Sequence, residues 1–508
     1  MSDLFETLRN LFSPAKRKRY EPFLDLLEAF RERTADWPGV IPTSGERVGI
    51  LVTPWLSTAV PFFALECAEM VRRAGRIPAL LFDATDLIQN SSDATHSEAL
   101  ARLLAERFRT FKVGDIENAV PQSGSADTAL AEPIFRENSI WRSRGEVRAD
   151  DYMAENAAAL AKIAAHIARV RGLLAAARVE RLLIPGGIFG LSGLYVALAR
   201  ETGLSFATFD GSAGVVRLTQ QGSAAHLADV PGAFRSLRER LSPAERDTVL
   251  AMGRAELDDR FNARDFRHFQ VTPATGRDDL RYDIFVPLNI RWDSAALGRQ
   301  RAFPSVAEWL DAVLTWVATK PGVSICIRQH PRERLDFAKG SDNLGPLLER
   351  HATLGERLRF VAADEPLNSY DFLRHARVVL PHTSTVGIEA ALLGLPVILG
   401  TAVYYEDLGF CDKASTRDEY FALLDSALAG GKKPSLEQRD NAALAYYLTQ
   451  RCAFMQTVFT AHPDDFQTWV KLPHEDLWDL PETADFRSAF LSGEPLSLVR
   501  HHRLSNAR

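Results

Sequence analysis

The sequence predicts an α/β protein built from two Rossmann-like domains that face each other across a cleft. Two regions of the chain each alternate short β-branched runs with longer amphipathic stretches, which is typical of parallel sheets covered by helices. Glycine and proline mark the junctions between these segments. The length of 508 residues is enough for about two to four domains, at roughly 150 residues each.

The first α/β region is predicted at residues 41–234, after an N-terminal helical extension at 1–40. An alanine-rich stretch within it has high helix propensity and predicts a long helix. The predicted strands are 47–53, 77–82, 181–184 and 205–209, and the predicted helices are 59–74, 151–177 and 192–202.

A charged helical connector is predicted at 235–280, a second α/β region at 281–430, and C-terminal helices and a tail at 431–508. For residues 478–508 two alternatives stay open, a helix that packs back onto the first region or a partly disordered tail. The second region has predicted strands at 284–288, 324–328, 359–362, 377–380 and 396–399, and predicted helices at 305–319, 369–375 and 385–393.

Composition limits the function. Apolar residues make up 46% of the chain and charged residues 25%, which excludes a disordered or fibrous protein. A net charge of −6 argues against a nucleic-acid binder. The four cysteines contain no C-x-x-C pair, which argues against a zinc site or a disulfide framework and fits a reducing cytoplasm; they are Cys67, Cys326, Cys411 and Cys452.

The N-terminus allows two interpretations. Its apolar residues recur at helical spacing and are followed by the basic run Lys16–Arg19. The segment is either a helix docked on its own domain or, through residues 1–20, a peripheral contact with the anionic inner-membrane leaflet. No signal peptide is expected. The uncharged stretch 182–199 predicts a strand, turn and helix and not a membrane span, because Pro185-Gly186-Gly187 interrupts it.

Ligands of open α/β sheets bind beyond the carboxyl ends of the strands, so polar residues there are the candidates. Strand 324–328 runs into His330-Pro331, and the proline holds the histidine at the edge of the sheet. His330 could donate a hydrogen bond to a phosphate or protonate a leaving oxygen. Arg328 and Arg332 beside it could bind an anion. The alternative is an ordinary turn histidine between solvent-facing arginines.

Three hydroxyl residues, Thr383, Ser384 and Thr385, follow another predicted strand and precede a helix. Thr383 or Ser384 suits the N-cap, and the free N–H groups of a helix N-terminus attract phosphate. Glu389, one turn further on, could reach a ribose hydroxyl. An ordinary capped helix in which Glu389 complements the dipole explains the same residues equally well.

Further candidates lie at other strand ends. Tyr404 and Tyr405 follow strand 396–399 and either line the cleft or pack in the interior. Asp210, before Gly211, is placed to act as a general base, although turn chemistry also explains an Asp-Gly pair.

In the first region, a serine and two glycines follow a predicted strand, and they too have either a functional or a purely structural interpretation. These residues, Ser192 and Gly186-Gly187, either form the wall of an acceptor site or only allow close packing.

These residues resemble a family. The second region is similar to bacterial capsule and surface-polysaccharide glycosyltransferases of GT-B architecture, especially those that use CMP-activated Kdo or sialic acid. The resemblance covers about residues 280–425 and is looser before them. It rests on Val286-Pro287-Leu288-Asn289 with Asp293-Ser294, on His330-Pro331, on Thr383 to Ala390, and on Gly394-Leu395-Pro396-Val397.

Bacterial sialyltransferases share three of these motifs, matched here by Phe209-Asp210-Gly211, His330-Pro331 and Ser384-Thr385. The resemblance implies that the acid is the general base for the acceptor, that the histidine assists departure of CMP, and that the hydroxyls hold its phosphate. Two positions depart from the pattern. Phe209 replaces an acid, and Asn289, counted here among the substrate-binding residues, stands where capsule Kdo transferases commonly have glutamine.

The resemblance implies a cytoplasmic glycosyltransferase with no cofactor, whose partners are a nucleotide-sugar donor and a glycan or glycolipid acceptor. The chain has no D-x-D sequence, which fits transfer without a metal. The carboxylate of a Kdo-like donor could be held by Arg328, Arg332 or Arg291. Two alternatives remain: a GT-B enzyme with a UDP-sugar or CDP-polyol donor, and a non-catalytic scaffold with a relic cleft.

Overall fold

The computed structural model describes most of the chain. For residues 14–22, 94–97 and 125 it describes the backbone only. The described residues are 14–37, 41–53, 59–85, 94–116, 125–262, 264, 270, 274–276, 279–430 and 433–506. Their strands are β1 (Arg47–Val52), β2 (Ile77–Phe82), β3 (Thr110–Lys112), β4 (Arg181–Pro185), β5 (Ser205–Ser212), β6 (Val215–Gln220), β7 (Ile284–Pro287), β8 (Ile325–Arg328), β9 (Leu358–Val361), β10 (Val378–Val379), β11 (Ile398–Leu399), β12 (Asp412–Lys413) and β13 (Met455–Gln456).

The helices follow the predicted alternation with the strands. They are α1 (Pro14–Arg33), α2 (Val60–Arg73), α3 (Ala94–Arg107), α4 (Ser125–Ser143), α5 (Glu146–Glu155), α6 (Ala157–Ala177), α7 (Ser192–Thr202), α8 (Val230–Arg240), α9 (Pro243–Phe261), α10 (Val306–Ala318), α11 (Gly345–Arg350), α12 (Ser369–Leu373), α13 (Val386–Leu392), α14 (Arg417–Leu428), α15 (Leu436–Tyr447), α16 (Pro463–Trp469), α17 (His474–Asp479), α18 (Pro481–Ser492) and α19 (Leu496–Asn506). No helix within the described ranges has both the length and the apolar composition to cross a bilayer.

The chain divides into two compact units. Unit 1 comprises 1–138, 156–229 and 454–508. Its sheet has the strand order β13-β6-β5-β4-β1-β2-β3. Strands β1 to β5 pair in parallel, whereas β6 and β13 are antiparallel to their neighbours. The strand order reverses between β1 and β4, as in doubly wound α/β folds.

The C-terminal segment is part of the core of unit 1. Strand β13 pairs with β6, and Phe466, Trp469 and Phe486 are fully buried in the same hydrophobic cluster as Phe30 of α1. The described residues up to 506 therefore take the first alternative, helices that pack on the first α/β region. Helix α1 docks on unit 1 through buried side chains from Phe23 onward. The proposed membrane contact of residues 1–20 lies outside the described residues and side chains.

Unit 2 comprises 139–155 and 230–453. Its main sheet has the order β10-β7-β8-β9, and all its neighbouring strands are parallel. Helices α8 and α9 of the predicted connector belong to this unit. Gly253 of α9 lets the backbone of α15 approach closely, since a Cβ there would lie 2.1 Å from the carbonyl oxygen of Ala443.

These units confirm the predicted α/β class, with a mostly parallel sheet in unit 1 and a fully parallel main sheet in unit 2. The predicted cleft stays a prediction. Two elements differ from expectation. The long helix predicted at 151–177 is divided at Asn156 into α5 and α6. Strand β5 does not end at Phe209 but continues through Asp210 to Ser212 and forms a hairpin with β6. Gly211 permits this, because a Cβ there would lie 2.3 Å from the carbonyl oxygen of Val215.

Candidate functional site

The carboxyl edge of the unit 2 sheet gathers three of the predicted residues. Thr383 follows β10, Asn289 follows β7 and His330 follows β8, and these three strands are neighbours in the sheet. Adjacent strands are about 4.8 Å apart. The amide Nδ2 of Asn289 donates a hydrogen bond to Thr383 Oγ1 at 3.0 Å. All three residues are partly exposed, so they line one accessible edge.

Hydrogen bonds fix the turn Thr383–Thr385, called here the hydroxyl turn, which precedes α13. Ser384 Oγ accepts a hydrogen bond from the N–H of Val386, the first residue of α13, at 3.2 Å. The N-cap position is occupied by Thr385, whose side chain makes no capping hydrogen bond, so the predicted N-cap role of Thr383 or Ser384 is wrong. The hydroxyl of Thr383 pairs instead with Asn289. Thr385 is partly exposed beside them. The hydroxyl of Tyr405 donates to the carbonyl oxygen of Ser384 at 2.7 Å.

The tyrosine pair has two different roles. Tyr405 is fully buried, which corrects its prediction as a residue lining the cleft: it packs beneath the turn and fixes Ser384. Gly387 makes room for it, since a Cβ there would lie 2.3 Å from the Tyr405 hydroxyl. Tyr404 is partly exposed, and its hydroxyl donates to Thr449 Oγ1 at 3.2 Å.

His330 is held in one tautomer. It precedes the 3₁₀ turn Pro331–Arg334, and its Nδ1 accepts the N–H of Arg332 at 3.2 Å. In the neutral ring, Nε2 therefore carries the proton and is the donor. Burial lowers the pKa of His330 to about 3, and the charges of Arg332 and Arg260 lower it in the same direction. The neutral ring can thus donate a hydrogen bond from Nε2, and its role in protonating a leaving oxygen stays a prediction.

The arginines around His330 differ in availability. Arg328 is buried and donates to the carbonyl oxygens of Ala362 and Leu367, so its prediction as an anion ligand is corrected: it joins β8 to the segment after β9. Arg332 is partly exposed, and its guanidinium lies 5.4 Å from the ring centre of Phe337.

A third arginine, Arg291, follows β7 and is also engaged. It is buried, its Nη2 donates to the carbonyl oxygen of Asp342 at 2.7 Å, and its Nη1 lies 3.5 Å from the carboxylate of the same residue. Of the three arginines predicted to hold a donor carboxylate, Arg332 is the one whose side chain is partly exposed.

Glu389 has a structural role. Its side chain is fully buried, and its two oxygens accept the hydroxyls of Tyr370 at 2.9 Å and Tyr446 at 3.0 Å. Arg260 Nε lies 3.6 Å away and balances the charge. The predicted contact of Glu389 with a ribose hydroxyl is corrected accordingly, because α13 is buried along the face that carries it.

Asp293 adds a carboxylate to the loop after β7. It is partly exposed, and its Oδ1 accepts the N–H of Ala295 at 2.9 Å. The sequence motif that contains Asn289 and Asp293 signalled it, although it was not among the predicted site residues. His382, next to Thr383, is buried, and burial lowers its pKa to about 4.

In unit 1, Asp210 lies within β5 and is ion-paired. Its Oδ2 accepts from Arg217 Nη2 of β6 at 2.6 Å, and its Oδ1 accepts the N–H of Gly211. The carboxylate is partly exposed. Gly187 has the left-handed φ of +89°, and a Cβ there would lie 2.9 Å from Thr208 Cγ2, so close packing explains it.

The other two residues of the predicted acceptor wall are less informative. Gly186 also has a left-handed φ, of +69°, which the turn after β4 requires. Ser192 is buried. These observations favour the packing alternative over an acceptor wall.

A buried polar cluster at the end of β2 was not predicted from the sequence. Asp83 Oδ2 accepts His166 Nε2 at 2.8 Å and the hydroxyl of Tyr195 at 2.9 Å, and Oδ1 accepts the N–H of Thr85 at 3.0 Å. The hydrogen bonds and charge of His166 hold the pKa of Asp83 low despite its burial. Because Asp83 follows β2 whereas His166 and Tyr195 lie on α6 and α7, only the fold brings the three together.

The described part of the chain holds no group of three or more histidine, cysteine, aspartate or glutamate residues placed to bind a metal. Independence from metal stays a prediction.

Comparison with known proteins supports the resemblance in unit 2. Residues 265–421 match the family of capsule polysaccharide biosynthesis proteins. This match confirms the predicted resemblance over the part of the chain that carries Asn289, His330 and Thr383–Glu389. It covers about a third of the chain, and no curated protein matches the sequence.

Solved structures give weaker likenesses. A β-Kdo 2,7-transferase, KpsC, from Thermosulfurimonas dismutans is 17% identical over 54% of this chain and 79% of its own, with a TM-score of 0.33. A UDP-GlcNAc 2-epimerase from Neisseria meningitidis is 10% identical over 79% of this chain and 95% of its own, with a TM-score of 0.25. These scores do not define a donor or an acceptor.

Proposed function

We propose that the protein is a glycosyltransferase of capsule or surface-polysaccharide synthesis that transfers Kdo or a sialic-acid-like keto sugar from a CMP-activated donor. The acceptor is a surface polysaccharide or glycolipid. The observation that carries the proposal is the edge formed by Asn289, His330 and Thr383–Thr385, which lies within the matched capsule-family region.

The phosphate of CMP would bind between His330 and the hydroxyl turn. A neutral imidazole with its proton on Nε2 donates one hydrogen bond, and Thr383, Ser384 and Thr385 offer hydroxyls on the far side of β7. The arginines around the ring provide a positive field, which stabilises the negative charge that develops on the departing phosphate. A bound phosphate would in turn raise the pKa of His330.

Arg332 is the residue we assign to the carboxylate of the keto sugar. Arg328 and Arg291 bind carbonyl groups or a carboxylate of the protein itself, whereas the Arg332 side chain is partly exposed next to His330. A guanidinium binds a carboxylate with two parallel hydrogen bonds, which would also orient the sugar.

Asp293 would stabilise the transition state. Glycosyl transfer passes through an oxocarbenium-like transition state with positive charge at the anomeric carbon. A carboxylate on the loop that also carries Asn289 is suited to balance that charge. In unit 1, Asp210 remains the proposed base for the acceptor hydroxyl, with Arg217 holding its carboxylate in place.

The test is release of CMP from CMP-Kdo or CMP-sialic acid by the purified chain. His330→Ala removes one preorganised donor to the phosphate, and such losses cost about 100-fold in rate. The control is His351→Ala, because His351 pairs with Asp311 away from the strand ends, at 2.9 Å. Equal release by wild type and His330→Ala would reject the role of His330.

The nucleotide is tested separately by thermal shift with CMP, CDP, UDP and GDP. A ligand that binds only the native state raises the melting temperature. A selective shift with CMP supports the proposal, a selective shift with UDP or CDP favours another donor, and no shift with any nucleotide favours a non-catalytic scaffold.

A further inference from the structure

Three side chains of unit 2 form a polar chain that leads from the accessible edge of the sheet into the interior. Asn289 Nδ2 donates to Thr383 Oγ1 at 3.0 Å, and His382 Nδ1 lies 3.5 Å from the same hydroxyl oxygen. Thr383 is partly exposed, whereas His382 is only 3% exposed. A buried imidazole therefore contacts a hydroxyl of the proposed phosphate site.

The orientation of the Asn289 amide is fixed. Its Oδ1 accepts the N–H of Ile290 at 2.9 Å, so the other end of the amide, Nδ2, faces Thr383 as a donor. A hydroxyl group has one proton and two lone pairs. Asn289 occupies one lone pair of Thr383 Oγ1, which leaves the second lone pair and the proton for His382 and for a ligand.

The position of the His382 ring is fixed as well. Its backbone carbonyl oxygen accepts the hydroxyl of Thr401, and its ring lies beside the indole of Trp309, with 5.8 Å between the ring centres. The indole N–H of Trp309 donates to the hydroxyl of Tyr420 at 3.0 Å and not to the imidazole. Burial and the charge of Arg291 lower the pKa of His382 to about 4, so at neutral pH only one ring nitrogen carries a proton.

The choice of nitrogen decides what the Thr383 hydroxyl offers to a ligand. If Nδ1 of His382 carries the proton, it donates to the second lone pair of Thr383 Oγ1, and the hydroxyl proton is left for the ligand. If Nε2 carries the proton, Nδ1 accepts the hydroxyl proton, and only a lone pair is left. A phosphate oxygen is an acceptor, so it binds the first arrangement and is repelled by the second. Donation to a phosphate polarises the hydroxyl and strengthens its long contact with Nδ1.

We propose that His382 is a positioning residue, which holds its proton on Nδ1 and thereby makes the Thr383 hydroxyl a hydrogen-bond donor to the phosphate of the nucleotide. The inference rests on the proposed function for the identity of the ligand. His330 has the opposite tautomer, since its Nδ1 accepts the N–H of Arg332. Each histidine then supplies one donor to the phosphate, His330 directly and His382 through Thr383.

The first test is the tautomer of His382 in the full chain, prepared with isotope-labelled histidine and without nucleotide. Long-range proton–nitrogen correlation spectra distinguish a protonated ring nitrogen from an unprotonated one, and loss of the signal in His382→Asn assigns it. We expect a protonated Nδ1 and an unprotonated Nε2 at neutral pH. Protonation of Nε2 would overturn the proposal, whether or not the chain binds CMP.

The second test is CMP affinity, measured by calorimetry. His382→Leu should bind CMP about fivefold more weakly, which is the contribution of a single neutral hydrogen bond. His382→Asn places an amide N–H near the position of Nδ1 and should keep the affinity within about twofold. His382→Gln places the amide near Nε2 instead and should bind like His382→Leu.

Two further variants complete the affinity measurements. In the double variant His382→Leu/Thr383→Val, the loss should be no larger than in Thr383→Val alone, because both substitutions remove the same donor. His351→Leu is the control, since His351 pairs with Asp311 away from the strand ends and its substitution should leave CMP affinity unchanged.

Either of two affinity results would overturn the proposal. One is equal affinity of His382→Asn and His382→Gln, because the proposal requires a donor at the position of Nδ1. The other is additive losses in the double variant, which would mean that His382 acts independently of Thr383. Wild-type protein that binds no CMP would instead overturn the proposed function, and the tautomer of His382 would then decide this inference alone.

Discussion

The carboxyl edges of the two sheets carry polar residues of similar types, but these residues differ in how deeply they are buried. In unit 1, the carboxylate of Asp83 is buried and its oxygens accept three hydrogen bonds from His166, Tyr195 and Thr85. In unit 2, Asn289 and His330 are partly exposed at the ends of adjacent strands. A polar residue at a strand end is therefore a candidate ligand only when part of its side chain reaches solvent.

The largest expected effect concerns Asp83 of unit 1, whose oxygens already accept three hydrogen bonds. Asp83→Ala removes the buried partner of His166 and Tyr195 and leaves both polar groups without it, so we expect the free energy of unfolding to fall by about 3 kcal/mol. Urea denaturation followed by circular dichroism measures the change.

Asp210→Ala is the control for this prediction. Asp210 pairs with Arg217 in a partly exposed setting, where ion pairs contribute at most about 1 kcal/mol. If Asp83→Ala kept wild-type stability but lost CMP release, the Asp83 cluster would be functional and its contrast with the edge of unit 2 would fail.

The next effect concerns Asp293, which is partly exposed in the loop after β7 of unit 2. Asp293→Asn keeps the shape of the side chain and removes its charge, so the positive charge of the transition state is no longer balanced. We expect CMP release to fall about 100-fold, while the affinity for CMP, measured by calorimetry, stays within about twofold. Asp311→Asn is the control, because Asp311 pairs with Arg350 and His351. A parallel loss of CMP affinity would show that Asp293 acts in binding.

A smaller effect separates binding from stability within unit 2. Thr383→Val removes the hydroxyl that accepts from Asn289, and a single neutral hydrogen bond contributes about 1 kcal/mol. CMP affinity should fall about fivefold, with little change in the melting temperature. Thr319→Val, at a hydroxyl that donates to the carbonyl oxygen of Trp316, should leave affinity unchanged. A large loss of stability with normal affinity would make Thr383 structural, like Asp83.

The sequence predicted the elements that position these residues. Apolar β-branched runs fixed β7 and β8, and proline after His330 placed the histidine at the sheet edge, as the structure has it. These signals are local, because strand propensity and proline geometry act over a few residues.

Local sequence signals did not predict which individual side chains are buried. Glu389 and Tyr405 are in the predicted segments, yet both are fully buried by partners distant in sequence, Tyr446 and the carbonyl oxygen of Ser384. Tertiary packing decides which face of a short helix reaches solvent. The Asp83 cluster escaped prediction for the same reason, since its members are 83 and 112 positions from their partner.

The smallest expected effect is a difference between the two units in how their stability depends on pH. Burial raises the pKa of Asp229 in unit 1 to about 7, from 3.8 for the ordinary group. Between these values the folded chain holds a proton that the unfolded chain has lost, so the stabilisation is complete below about pH 3.8 and is lost as the pH rises through 7. His382 in unit 2 has the opposite sign, because its pKa falls from 6.5 to about 4 and stability is lost as the pH falls through that range.

Asp229→Asn should therefore stabilise unit 1 at pH 7.5 and leave it unchanged at pH 4. Because Asp229 is partly exposed, we expect about 1 kcal/mol. Hydrogen exchange of the Gln220 amide, which donates to Asp229 at 2.9 Å, reports on unit 1, and amides of β10 report on unit 2. His382→Asn should change only the β10 amides, and only below pH 6.5. Equal pH dependence of both sets of amides in wild type would mean that the two units unfold together and that neither buried group sets the acid or alkaline limit of its own unit.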